Sequence, residues 1–165
     1  MCRVGGIMSN FKLEQAIGFH INRTAFLMTE EIGKRISNLG YEISTQDFAI
    51  LFRLVKKGPM TQVEIAKLLM RDKTTITRRI DALVKKGHVQ RTASPDDRRF
   101  FLIELTETAH QALKELVPLV GNFQEEVLHA IPDEEKAMTI KTLQHISNLL
   151  INLKNKPGAK NANAK

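Results

Sequence analysis

The sequence of 165 residues predicts a mainly α-helical protein with one small β-hairpin, and three observations carry that prediction. Long stretches near both ends repeat apolar residues at three- and four-residue spacing, the period of an amphipathic helix. Ser44, Thr61, Asp72 and Thr106 stand at the head of such runs, while Gly40, Gly58 and Gly87 close others, as capping chemistry requires. Between Gly87 and Thr106 the period changes to strict alternation on either side of SPDDRR, the pattern of two strands and a turn.

Residues 1–9 carry Gly5 and Gly6 without any periodic pattern and are expected to form a disordered extension, with Met8 a candidate start of translation. From Phe11 to Leu39, the apolar positions Leu13, Ile17, Ile21, Met28, Ile32 and Ile36 predict one long amphipathic helix that Gly40 ends. Ser44, with Asp47 three residues on, opens a second helix bearing Phe48, Leu51, Phe52 and Val55, which Gly58 and Pro59 stop. Thr61 and Glu64 have the spacing of a capping box at the start of a short helix through Leu69. The turn Met70, Arg71, Asp72 lacks the glycine often found at such a place, and Asp72 is suited to cap the next helix, Lys73 to Lys86.

In that helix Ile76, Ile80, Leu83 and Val84 fall within about a third of the circumference, at about 100° per residue, and predict the packed face. Thr74, Thr75, Thr77 and Arg78 then point outward. Threonine hydroxyls and methyls suit base edges, and an arginine can grip guanine with two parallel bonds. After Gly87, Val89, Arg91 and Ala93 alternate in one strand, and Phe101, Ile103 and Leu105 in the other. Two helices joined by a tight turn and followed by a ribbon with a basic tip make a winged helix-turn-helix over about 44–106, which sets one helix into a DNA major groove. The candidate DNA-binding residues are Thr61, Gln62, Lys73, Thr74, Thr75, Thr77, Arg78 and Arg79, with Arg98 and Arg99 at the hairpin tip for the minor groove.

The net charge of +7 is concentrated where this reading needs it. Residues 71–99 hold nine Lys and Arg against four Asp, and the tail 154–165, expected to be disordered, adds four lysines and no acid. A bland alternative is a solvated basic face on a winged-helix module that docks protein without sequence-specific DNA binding. Steep salt dependence distinguishes DNA binding from that.

Thr106 is expected to cap a helix over about 107–130, with Leu113, Leu116, Val120, Phe123 and Val127 as a packing seam and Pro118 bending it. Asp133 is expected to cap a last helix over about 134–153, bearing Leu143, Ile146, Leu149, Leu150 and Leu153. These faces exceed what a small winged domain covers, which predicts a homodimer whose first, fifth and sixth helices bury one another across a two-fold axis. The acidic balance of residues 100–153, eight acids against three lysines, keeps that module off DNA.

DKTTITRRIDALVKKGHVQR followed by SPDDRRFFLIELTETA closely resembles the MarR family of bacterial transcriptional regulators, over roughly residues 10–153. The resemblance implies a six-helix winged-helix homodimer that binds a near-palindromic double-stranded DNA operator, with Arg98 matching the wing arginine and 73–79 the base-reading helix. It implies a repressor released by a small aromatic or anionic effector, for which His20, Arg23, Phe48 and Phe52 are candidate lining residues. Helical spacing fits plain packing and capping for those four equally well, and favours it. Ala109 departs from the family, which often has glycine there. Family members that sense oxidants do so through a cysteine in the first helix, a position Cys2 does not match.

Enzymatic chemistry finds little support. His20, His88, His110, His129 and His145 lack metal-ligand spacing, and no phosphate loop or nucleophile elbow occurs, so no cofactor or metal is expected. A single cysteine excludes an intrachain disulfide, and no apolar run approaches the roughly 20 residues of a membrane span, which together imply a cytoplasmic protein.

Overall fold

Local capping chemistry decides where most helices of the computed structural model begin. The structure describes residues 12–94 and 100–155, which divide into two compact units between Phe123 and Gln124. The first unit holds a single 3-10 turn (Leu13–Gln15), α1 (Ile17–Asn38), α2 (Thr45–Lys57), β1 (Met60–Thr61), α3 (Gln62–Leu68), α4 (Lys73–Lys85), β2 (Val89–Ala93), β3 (Phe101–Leu105) and most of α5 (Glu107–Leu128). The second holds the end of α5 and α6 (Asp133–Asn155). Six helices and a small antiparallel sheet among the described residues make the mainly α winged helix-turn-helix that the sequence predicts.

Four caps work as their spacing predicts. Ser44 Oγ accepts the Asp47 amide at 3.1 Å while Asp47 Oδ2 accepts the Ser44 amide at 3.2 Å. Thr61 and Glu64 form the same reciprocal box at 3.2 and 2.8 Å, and those backbone and hydroxyl bonds hold the Glu64 carboxyl below its ordinary value. Asp72 Oδ1 accepts the Thr75 amide at 2.7 Å, and Thr106 Oγ1 accepts the Ala109 amide at 3.3 Å. Each cap supplies a partner to a backbone donor that the first helical turn leaves without one.

Helix ends are set the same way. α4 closes with the His88 amide on the Leu83 carbonyl at 2.9 Å and the Gly87 amide on the Val84 carbonyl at 3.0 Å, with Gly87 at φ 72°. α3 closes with the same pair of bonds, Arg71 to Ala66 at 3.0 Å and Met70 to Lys67 at 3.2 Å. Here Met70, a side-chain residue, takes the left-handed position at φ 51°.

Two helix starts differ from the expectation. α1 begins at Ile17, because Ala16 is extended and has no side chain to cap with, and His20 Nε2 lies 2.6 Å from the Glu14 carbonyl oxygen. Asp133 is itself the first residue of α6, and its carboxylate pairs with Lys136 Nζ at 3.0 Å instead of capping. The sheet also has a strand the alternation pattern did not reveal. β1 pairs with β3, Met60 opposite Ile103 and Thr61 opposite Leu102, giving the order β1-β3-β2. In the predicted hairpin Val89 faces Leu105, Arg91 faces Ile103 and Ala93 faces Phe101.

The core of the first unit gathers Ile32 and Ile36 of α1, Ile50, Leu51 and Leu54 of α2, Ile65 of α3, the buried face of α4, Val89, Ile103 and the α5 residues Leu113, Leu116 and Phe123. The α5 seam is therefore largely covered within its own chain, where the sequence reading assigned it to a partner; Val127 alone of that seam is exposed. α6 has no buried residue, and Met138, Ile140, Leu143, Leu149, Leu150 and Leu153 are all exposed. On α1, Ile17, Ile21, Phe26 and Leu27 are exposed as well. Among the described residues no helix is long and apolar enough to cross a membrane.

Candidate nucleic-acid interface

α4 turns Ile76, Ile80 and Leu83 into the core, with Val84 half-buried beside them. At about 100° per residue the opposite arc carries Thr74, Arg78, Asp81 and Lys85, and all four are exposed. Lys73, at the first position of the helix, is exposed too. Among the described residues no hydrogen bond or ion pair engages the side chains of Lys73, Thr74, Arg78 or Lys85, which leaves two arginine or lysine heads within the first two turns open to a ligand.

The other candidates on α3 and α4 are occupied inside the domain. The Thr75 hydroxyl donates to Asp72 Oδ2 at 2.6 Å, and that bond, with the Thr75 amide, holds the Asp72 carboxyl below its ordinary value. The Thr77 hydroxyl donates to Gln62 Oε1 at 3.2 Å, which ties α4 to α3. Thr61 is the α3 cap, with its hydroxyl donating to Glu64 Oε2 at 2.8 Å. Arg79 is turned away from Arg78 and its Nη1 lies 3.0 Å from Asp47 Oδ1 and 3.2 Å from Ser44 Oγ. Thus Thr61, Gln62, Thr75, Thr77 and Arg79, all candidate DNA-binding residues from the sequence, are bonded within the domain around the uncommitted Lys73, Thr74 and Arg78.

Three contacts hold the end of α4 to its surroundings. Arg91 Nη2 of β2 reaches Asp81 Oδ1 at 2.5 Å. Lys86 Nζ donates to the Glu42 carbonyl at 2.6 Å, and the Thr106 hydroxyl donates to the Gly87 carbonyl at 2.6 Å. Sequence reasoning placed Asp47 at the start of α2 but missed its bond to Arg79, and missed Asp81 and Glu42, because these partners lie 10 to 44 positions away; the one available signal was an acid, Asp81, inside a basic helix. His88, at the same junction, is buried and its Nδ1 has no partner. Burial first, and the charge of Lys86 next, push its pKa below the ordinary value of 6.5, against an opposing pull from Asp47.

Between Ser94 and Phe100 the hairpin is closed by the Ser94 amide on the Phe100 carbonyl at 2.9 Å. The candidates Arg98 and Arg99 lie outside the described residues. Of the four candidate effector residues, Phe48 and Phe52 come together on α2, stacked at 5.8 Å between centroids, with Lys56 Nζ 5.6 Å above Phe52. His20 makes its ring contact with Phe19 instead, and Arg23 is exposed on α1; among the described residues no hydrogen bond or ring contact joins either to the phenylalanine pair. No group of three or more His, Cys, Asp or Glu gathers among the described residues to hold a metal.

Known proteins agree with this geometry. The MarR family model matches residues 43–100, from just before α2 to the residue before β3. The chain is 33% identical over 116 residues to YwoH of Bacillus subtilis, an uncharacterized HTH-type transcriptional regulator, covering 70% of this chain and 82% of that protein. Among solved structures it is similar to a cysteine-to-serine mutant of MarR from E. coli complexed with operator DNA, at 27% identity and TM-score 0.71, over 78% of this chain and 91% of that one. It is also similar to CouR from Rhodococcus jostii bound to p-coumaroyl-CoA, at 25% identity and TM-score 0.73, over 82% and 94% of the two chains. With the helix-turn-helix, the hairpin and these likenesses in agreement, the chain belongs to the MarR family of transcriptional regulators.

Proposed function

We propose that this regulator acts as a cytoplasmic homodimer that binds a near-palindromic DNA operator and represses transcription until a small aromatic or anionic effector releases it. The observation that carries the reading is the free arc of α4: Lys73, Thr74 and Arg78 are exposed and uncommitted, while Thr75, Thr77, Arg79 and Asp81 beside them are bonded within the domain. A rigid helix with free donors is what base readout in a major groove requires. Arg98 and Arg99, which join β2 to β3 in sequence, carry the charge suited to the minor groove beside it.

The exposed leucines of α6 and the exposed apolar residues of α1 support the dimer, since extended apolar faces mark interaction surfaces and symmetric dimers are the commonest oligomers. On this reading the winged module spans about 44–106, and α1, α6 and the end of α5 supply the contacts between copies. Two copies set their α4 helices one DNA turn apart, about 34 Å. MarR with operator DNA and CouR with p-coumaroyl-CoA support the pairing of a DNA state with a ligand state. By linkage, an effector releases DNA only if it binds the DNA-incompetent state better. The Phe48–Phe52 stack with Lys56 over it offers an aromatic and cationic surface for such a ligand. The proposed activity is binding alone.

Selection of duplexes from a random pool, followed by footprinting on the winner, tests this. Two protected half-sites about one helical turn apart are expected. A pool that yields no enriched sequence, with the protein still folded, contradicts the reading.

A further inference from the structure

The Asp47 carboxylate serves two elements at once. Its Oδ2 accepts the Ser44 hydroxyl at 2.7 Å and the Ser44 amide at 3.2 Å, which starts α2. Its Oδ1 accepts Arg79 Nη1 at 3.0 Å, and the same nitrogen lies 3.2 Å from Ser44 Oγ. The side chains are 14% exposed for Asp47 and 29% for Arg79, so the pair is shielded from solvent far more than an ordinary surface bridge. Two residues before Ser44, the Glu42 carbonyl takes Lys86 Nζ at 2.6 Å, with the Glu42 carboxylate 3.7 Å away. Segment 42–47 is thus joined to α4 at Arg79 and to its C-cap residue Lys86, two points separated by seven residues, roughly two helical turns.

Apolar packing through Ile76, Ile80 and Leu83 holds α4 against the core but is non-directional, and permits small rotations about the helix axis. Two polar anchors two turns apart remove that freedom. Arg79 and Arg78 are neighbours in sequence with opposite situations, one tied to α2 and the other uncommitted. We infer that Asp47 and Arg79 form a clamp that sets the direction in which α4 presents Thr74 and Arg78 to DNA, so that Arg79 is a positioning residue and not a phosphate contact. This rests on the DNA-binding reading above. Recognition tolerates errors of only about 0.5 Å or 10–20° in such groups, so loosening the clamp degrades discrimination before it degrades general attraction.

The test uses the full chain, the duplex enriched by selection and a scrambled duplex of the same composition, with Arg79→Met, Asp47→Asn and the double variant. Both single variants are expected to lose several-fold in the ratio of affinities for the two duplexes. The double variant should be no worse than either, and the slope of log affinity against log salt should stay at the wild-type value. A phosphate contact gives another outcome: Arg79→Met lowers the salt slope by about one and weakens both duplexes alike, while Asp47→Asn leaves discrimination intact. That result overturns the proposal. Amide hydrogen exchange over residues 74–79 without DNA separates the clamp from the function. Faster exchange in both single variants supports the clamp, and unchanged exchange overturns it, even where the unaltered protein selects no duplex and the DNA reading itself fails.

Discussion

Arg91 Nη2 lies 2.5 Å from Asp81 Oδ1, so the first strand of the hairpin is fastened to the C-terminal half of α4 on the arc that also carries Arg78. The contact ties β2 to the proposed reading helix. Both side chains are partly exposed, 31% for Arg91 and 55% for Asp81, and the pair adds little to folding. Asp81→Asn is expected to change unfolding free energy by less than about 1 kcal/mol in urea titrations. The same variant should weaken operator binding several-fold by anisotropy, with footprint loss concentrated where the hairpin lands. A stability loss without a footprint change would assign the pair to folding alone.

Met70 and Gly87 occupy equivalent positions at the ends of α3 and α4, at φ 51° and 72°. A left-handed conformation costs a side-chain residue roughly 1 kcal/mol relative to glycine. Met70→Gly is expected to raise stability by up to about that amount, offset by the greater freedom of glycine in the unfolded chain. Gly87→Ala meets no atom within 4 Å and should lower stability by about 1 kcal/mol from backbone strain alone. Urea midpoints of the two variants, moving in opposite directions, check both.

His88 gives stability a pH dependence of known sign. Burial, followed by the positive charge of Lys86, depresses its folded pKa below 6.5, so the fold holds the neutral ring. The unfolded chain binds the proton more readily, and the contribution is fully present above pH 6.5 and lost as pH falls from there through the lowered folded value. Wild-type unfolding free energy should therefore decline between about pH 7 and 5 more steeply than that of His88→Gln. Equal slopes would show that His88 does not titrate with unfolding.

Local chemistry was legible in the sequence and distant pairing was not. Ser44, Thr61, Asp72 and Thr106 cap partners three residues away, and Gly87 ends α4 through bonds within one turn, so spacing alone revealed them. β1 has two residues, too few to show alternation, and its register depends on Leu102 and Ile103 far along the chain. The Arg79 environment is set by Asp47 across a gap of 32 positions, so the sequence offered Arg79 only as one more candidate DNA-binding residue of a basic helix. The α5 face was periodic enough to predict burial but not against what, since a seam packs equally well within a chain or between two. Asp133 lay one residue inside the helix it was expected to cap, a difference that periodicity does not resolve.

The uncovered face of α6 leads to a prediction on assembly. Leu150 is 54% exposed, and Leu150→Glu is expected to change the stability of an isolated chain by no more than about 0.5 kcal/mol. In a dimer built on α6 the same change buries an unpaired charge at the interface. Sedimentation at micromolar concentration should give twice the chain mass for wild type and the single mass for the variant. An unchanged dimer in the variant would move the interface away from α6.

The salt dependence of operator affinity tests the central claim most directly, that α4 and the hairpin form a DNA-reading surface in each of two copies. Affinity of the full chain for the selected duplex, measured from about 50 to 200 mM salt, is expected to fall linearly in log–log form with a slope that counts several neutralised phosphates. Arg78→Ala should either relax preference at one operator position with a cost of about 1–3 kcal/mol, as a base contact does, or reduce the slope by about one, as a phosphate contact does. A flat salt response, or equal affinity for selected and scrambled duplexes at every salt concentration, would contradict the account.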